Sequence, residues 1–233
     1  MPETGESVKV VITVDGSAAS GKTALARKLA EALGFQHLNS GLLYRGVAWL
    51  ALQTEVAVTD EQAILGLLRE KPLSLSVGDS GTCELLIASS PCKADLTASV
   101  VSSTASVVAQ LPNVRTLLLE PQRSAFPGYG IVAEGRDMGT IVFPDAPVKF
   151  FVDARLDVRA GRRWAQMIAR GEDVSQDDVA RELRERDIND STRLHAPMVK
   201  SQDSILVDNS DRTLEETVAA MVQEVRSRVY SET

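Results

Sequence analysis

Among its 233 residues this chain has only two cysteines, Cys83 and Cys92. They lack the spacing of a metal site and are too few for a disulfide framework, so they read as reduced thiols of a cytosolic protein. No run of about 18 apolar residues occurs, which leaves nothing to cross a membrane as a helix. The opening residues, MPETGES, are polar and no targeting pattern follows them, so the expected setting is soluble and cytoplasmic. Basic excess is missing too. Lys and Arg number 25 against 32 Asp and Glu, a net charge of −7 spread along the chain, which argues against a nucleic-acid partner. There is no internal repeat, no low-complexity tract, no guanine-reading NKxD and no apolar strand ending in the acidic pair of an assembly ATPase. What remains is an ordinary globular composition, 44% hydrophobic and 24% charged, enough to bury the core of one domain with insertions.

Against that background one stretch stands out, VKVVITVDGSAASGKTA from Val8 to Ala24. A β-branched run, Val8 to Val14, reads as a buried parallel strand, and Gly16, Gly21, Lys22 and Thr23 after it match the phosphate-binding GxxxxGK[ST] loop. Glycines let the backbone bend close to oxyanions, successive N–H groups of Ser17, Ala18, Ala19 and Ser20 are free to turn inward, Lys22 reaches the β/γ-phosphates and Thr23 offers a hydroxyl to Mg²⁺. Ala24, Leu25, Ala26, Leu29, Ala32 and Leu33 then recur at helical spacing.

Further strands are expected at 130–133, 148–152 and Ser204–Val207, with helical patterns between them, which suggests a parallel α/β sheet containing the loop strand. Thr213 and Glu216 form a capping-box pattern before a terminal amphipathic helix. Between Asp60 and Gly130 the texture changes. LSLSV at 73–77 and CELLIAS at 83–89 flank GDSGT and read as a hairpin with a five-residue loop inside an insertion. An amphipathic helix then ends near Leu111-Pro112 and a second starts from about Asn113.

Arginine is concentrated: nine of 18 lie between Arg155 and Arg193, beside nine acids. Steps of four and seven put Arg186, Asp190 and Arg193 on one helical face that Ser175 and Asp178 would cap. That face reads equally as solvated salt bridging or as guanidinium forks directed at phosphate.

LNSGLLYRG (38–46), NVRTLLLEPQR (113–123), EGRDMGTIVFPDAPVKFFVDA (134–154) and RERDINDSTRLHAP (184–197) together resemble the bacterial cytidylate kinases, a family of nucleoside monophosphate kinases, over nearly the whole chain. The resemblance implies a P-loop α/β core, parallel sheet flanked by helices (8–38, 130–154 and 177–233), an acceptor-binding segment with its hairpin insertion at about 39–129, and a helical lid at about 155–176. It implies transfer of the γ-phosphoryl of MgATP to CMP or dCMP and small-molecule partners only; a monomer is the default expectation. ATP would be held by residues 16–24 of the loop. Ser40, Tyr44 and Arg45 would sit at the acceptor, with Arg45 and Arg136 on its phosphate, and Ser106, Arg115 and Asp137 would read the cytosine ring. Asp137 would accept from the exocyclic amine while Arg and Ser serve the ring acceptors. Arg186 and Asp190 would contact ribose and phosphate. Arg193 and a lid arginine, Arg162 or Arg163, would stabilise the moving phosphoryl, as would Lys22. Asn39 and Glu134 stand where the family usually has Asp, and Thr97 where it often has Arg. Glu134 keeps a carboxylate that would order a Mg²⁺-bound water. His37 and His195 fall outside any base-like constellation.

Overall fold

The computed structural model describes residues 10–78 and 81–230. MPETGES, Val8 and Lys9 of the expected first strand, and Asp79 and Ser80 of the hairpin loop lie outside the described residues. Five parallel strands form the main sheet: β1 (Val11–Gly16), β2 (Gln36–Asn39), β6 (Ile131–Glu134), β7 (Val148–Asp153) and β8 (Ile205–Asp208), in the order β2-β6-β1-β7-β8. A second, antiparallel sheet contains β3 (Leu73–Val77), β4 (Cys83–Ile87) and the two-residue β5 (Ser90–Pro91). The expected hairpin is therefore present, but its second strand ends at Ile87 instead of Ser89, because Ala88 and Ser89 at positive φ turn the chain into β5.

The central position of β1 explains its composition. Flanked by β6 and β7, it is covered on both faces, and alternation no longer needs polar residues. On one face Ile12, Val14, Phe150 and Val152 pack against Leu25 and Leu29 of α1 (Lys22–Leu33) and Met221 and Val225 of α8 (Leu214–Val229). On the other, Ile131 and Ala133 meet α2 (Gly41–Gln53), α3 (Glu61–Glu70), α4 (Ser99–Val108), α5 (Pro112–Arg123) and the small sheet. Cys83 and Cys92 are free, and burial pushes the Cys83 thiol up to about 11.

Local chemistry sets the helix ends. Asp60 accepts from Ala63 N–H at the start of α3, and Thr213 and Glu216 exchange bonds reciprocally at the start of α8. Pro112 begins α5 instead of preceding it, because a first-turn residue has no intrahelical N–H bond to lose. The region after β7 holds α6 (Leu156–Ile168), a connection, and α7 (Gln176–Thr192), where Ser175 accepts from Asp178 N–H at 3.1 Å. After Gly135, Arg136 and Asp137 the chain folds unexpectedly into a single π-helical turn, Met138–Val142. No helix among the described residues is long and apolar enough to cross a membrane.

Candidate active site

Gly16 closes β1 at φ 149°, and a Cβ there would lie 1.9 Å from the carbonyl oxygen of Val152. Only glycine lets the chain leave the sheet so close to its neighbour. Gly21, at φ 91°, returns it to helical geometry before Lys22.

Three carbonyls of the loop are held by side chains, one from within it and two from outside. Lys22 donates to Ser17 O at 3.0 Å, Arg159 of α6 to Ala18 O at 3.1 Å, and Asn209 to Ser20 O at 2.8 Å. Asp187 of α7 accepts from Ala18 N–H at 3.3 Å and binds Arg159 at 2.5 Å. Ser17 donates to Asp153 at 2.5 Å. Arg159, Asp187, Asp153 and Asn209 went unread in the sequence, since each acts across a large separation in the chain. Arg162 donates to Asn209 O at 2.8 Å and Ser20 O at 3.4 Å, so its guanidinium braces the outside of the loop.

Beyond the loop opens one cavity. Lys22, Thr23, Ser40, Tyr44, Arg45, Ser106, Arg115, Glu134, Arg136, Asp137, Arg186, Asp190 and Arg193 all line it, together with Asn39. Gly16, Ser17, Ala18, Ala19, Ser20, Gly21, Ala24 and Arg162 do not. Six cations thus share the walls with three carboxylates. Asp137 is spoken for by Arg115, whose guanidinium also stacks 5.3 Å from the centroid of Tyr44. Asp190 accepts from Arg136 at 2.8 Å, and Arg193 lies 3.9 Å from both Asp137 and Asp190.

Lys22, Arg45 and Arg186 have no ion-pair partner among the described residues. Burial, and then the neighbouring charge of Arg136, hold Lys22 well below the usual lysine range. The same two causes bring Arg186 down to about 10, still protonated at neutral pH. Buried Nε of Arg186 and Nη2 of Arg193 make no hydrogen bond among the described residues. Such a site has donors and charge waiting for an anion.

Glu134, 2% exposed, ends β6 opposite the start of α1. Thr23 donates to its Oε2 at 2.7 Å and the Nε2–H of His37 to its Oε1 at 3.1 Å. A carboxylate cannot donate, so the ring nitrogen must. Burial works to raise this carboxyl, yet the His37 bond and charge, Lys22 and Thr23 together leave it below the ordinary range. His37, read from sequence as outside any constellation, is brought here by β2, a four-residue strand too short to recognise beforehand.

Other expected residues are placed with equal definition. The Ser40 hydroxyl is engaged by Glu134 O at 2.7 Å, and Arg45 Nε by Gly41 O at 3.1 Å. Thr97 offers its carbonyl to Arg170, 2.8 Å away beyond the end of α6.

A glycine loop between a parallel strand and a helix, opening onto a cationic cavity, defines a P-loop nucleotide-dependent phosphotransferase. The cytidylate kinase family model matches residues 12–227. A cytidylate kinase of Klebsiella pneumoniae is 38% identical over 219 residues, covering 94% of this chain and 96% of that protein. One from Stutzerimonas stutzeri is 40% identical over 222 residues, with 94% and 96% covered. One from Caldanaerobacter subterraneus is 34% identical over 226 residues, with 97% and 99% covered. The chain belongs to the cytidylate kinase family.

Proposed function

We propose that the protein transfers the γ-phosphoryl of MgATP to CMP or dCMP, giving CDP or dCDP. The observation that carries this reading is the set of half-buried cations without carboxylate partners among the described residues, Lys22, Arg45 and Arg186, on one cavity that runs from the P-loop to Asp137.

The acceptor is already a phosphate oxygen, so no strong base is needed, and positioning, charge stabilisation and exclusion of water suffice. ATP phosphates lie on the loop at 16–24, braced as described, with Lys22 following the γ-phosphoryl. Arg45 and Arg136 hold the acceptor phosphate, Arg186 and Asp190 bind near ribose and phosphate, and Arg193 stabilises the phosphoryl in flight. Ser40 acts through its bond to Glu134, and Tyr44 through its stack on Arg115. Ser106 and Arg115 serve the ring acceptors of cytosine. Arg115 occupies Oδ2 of Asp137, which leaves Oδ1 to accept from the exocyclic amine. A uracil oxygen there would face an acceptor with an acceptor.

The Thr23 hydroxyl and Glu134 carboxylate are hard oxygen donors set 2.7 Å apart, which suits Mg²⁺ held by few protein groups and by phosphate. When bound, the ion neutralises charge on the β- and γ-phosphates. Residues 155–176 act as a lid over a core formed by 8–38, 130–154 and 177–233, with 39–129 as the acceptor segment. Within the lid Arg162 is committed to the loop, whereas the charge of Arg163 is felt at both Arg45 and Arg186. We therefore assign the lid's phosphate contact to Arg163 in place of Arg162. The protein acts as a cytoplasmic monomer.

ADP formation measured with MgATP and CMP, dCMP, UMP, AMP or no acceptor tests the reading. Turnover should require CMP or dCMP; consumption indifferent to acceptor would sink it.

A further inference from the structure

Asp15 stands on β1 one residue before the first glycine of the loop, and none of the steps above uses it. Its side chain lies under the π turn, 5% exposed, and accepts from Met138 N–H on Oδ1 and Gly139 N–H on Oδ2, both at 2.8 Å. These are the first two donors of that turn, which have no acceptor within it. Asp137 precedes the turn with φ −145° and ψ 23°, and its own side chain makes no cap. The backbone at Asp137 is therefore held by a neighbour on another strand.

That arrangement is costly. Burial raises the Asp15 carboxyl from an ordinary 3.8 to about 6; the Gly139 and Met138 N–H groups work against this, as does Arg136, while Asp137 adds to it. No cation pairs with it among the described residues. The closest candidate on the adjoining strand, Lys149, is drawn away to Asp203 at 2.7 Å. The carboxylate is kept there by two N–H groups that an apolar residue would leave buried and unsatisfied.

We propose that Asp15 is a positioning residue for acceptor recognition: from the P-loop strand it fixes the turn that aims Asp137 and Arg136 at the acceptor nucleotide. Phosphate loop and base-reading turn are thereby joined through one side chain. This inference rests on Asp137 reading the acceptor base. It distinguishes Asp15 from a merely structural residue, because its loss acts on base discrimination before it acts on nucleotide binding at the loop.

The test compares the full-length protein with Asp15→Asn by steady-state kinetics, using CMP and UMP against MgATP, and by amide spectra between pH 4.5 and 8. In the variant one oxygen remains for two N–H groups. The KM for CMP should rise about tenfold and the preference for CMP over UMP fall by a similar factor, with the KM for MgATP changed less than about twofold. In the unsubstituted protein the Met138 and Gly139 amide resonances should move together with a midpoint near pH 6, and the variant should lack that movement. A folded variant with unchanged KM and preference, or amides that do not titrate, overturns the inference. If the variant does not fold, the amide titration of the unsubstituted protein decides. Absence of CMP-dependent ADP formation in the unsubstituted protein would instead overturn the function, leaving the titration as a separate result.

Discussion

At Asp137 the proposed reading of the base comes down to a single oxygen. Arg115 binds Oδ2, and among the described residues the remaining Oδ1 has only Arg193 at 3.9 Å. In Asp137→Asn the amide can present hydrogens there, which match the carbonyl of uracil and oppose the amine of cytosine. The ratio of kcat/KM for CMP over UMP should fall by roughly 10–200-fold, as about 1–3 kcal/mol of discrimination allows. His37 offers a second test at the same scale. The Glu134 carboxyl is held below its ordinary 4.5, so its contribution to stability is present above that value and lost as pH falls through the folded pKa. His37→Leu removes one of the causes. Denaturant unfolding at pH 7 should show a loss on the order of 1 kcal/mol, and the difference should shrink on acidification.

Elements join at places that no local pattern announces. The P-loop, the Thr213 cap and the Pro112 helix start were legible because each is written in neighbouring residues. The hairpin was legible from its alternation. Strand β2 was not, being four residues with an ordinary composition, nor was the π turn, whose first N–H groups need Asp15 from position 123 residues earlier. Cavity-lining residues were found through family resemblance, while the braces of the loop were missed. Arg159 shows why: its partners Asp187 and Ala18 lie 28 and 141 residues away. Arg159→Met leaves Asp187 without its cation and Ala18 O without its donor. Unfolding should cost roughly 2–4 kcal/mol less in the variant, and restoring part of it with Asp187→Leu would show that an uncompensated charge is responsible.

Across the whole molecule, stability and activity pull apart in the cavity. Lys22, Arg45 and Arg186 repel one another's neighbours while nothing anionic is bound. Arg186→Gln should therefore raise the Tm of the ligand-free protein by about 2–4 °C, equivalent to about 1 kcal/mol at this size, while lowering turnover with CMP. Calorimetry and the ADP assay measure the two effects on the same sample. Adding MgATP and CMP should reverse the ranking of Tm, since the unsubstituted site binds both more tightly.

The Asn209 bond to Ser20 spans 189 residues and gives the nucleotide loop a position in time as well as in space. During synthesis the loop leaves the ribosome long before its brace, which arrives only when β8 and the following turn emerge. Throughout that interval the chain carries a phosphate-binding motif that is chemically complete and mechanically unfinished. ATP in the cell is then unable to act as a folding ligand for the nascent protein until β8 and Asn209 appear. Ribosome-bound chains halted before Ser204 should gain no protection from proteolysis on adding MgATP, whereas released full-length chains should.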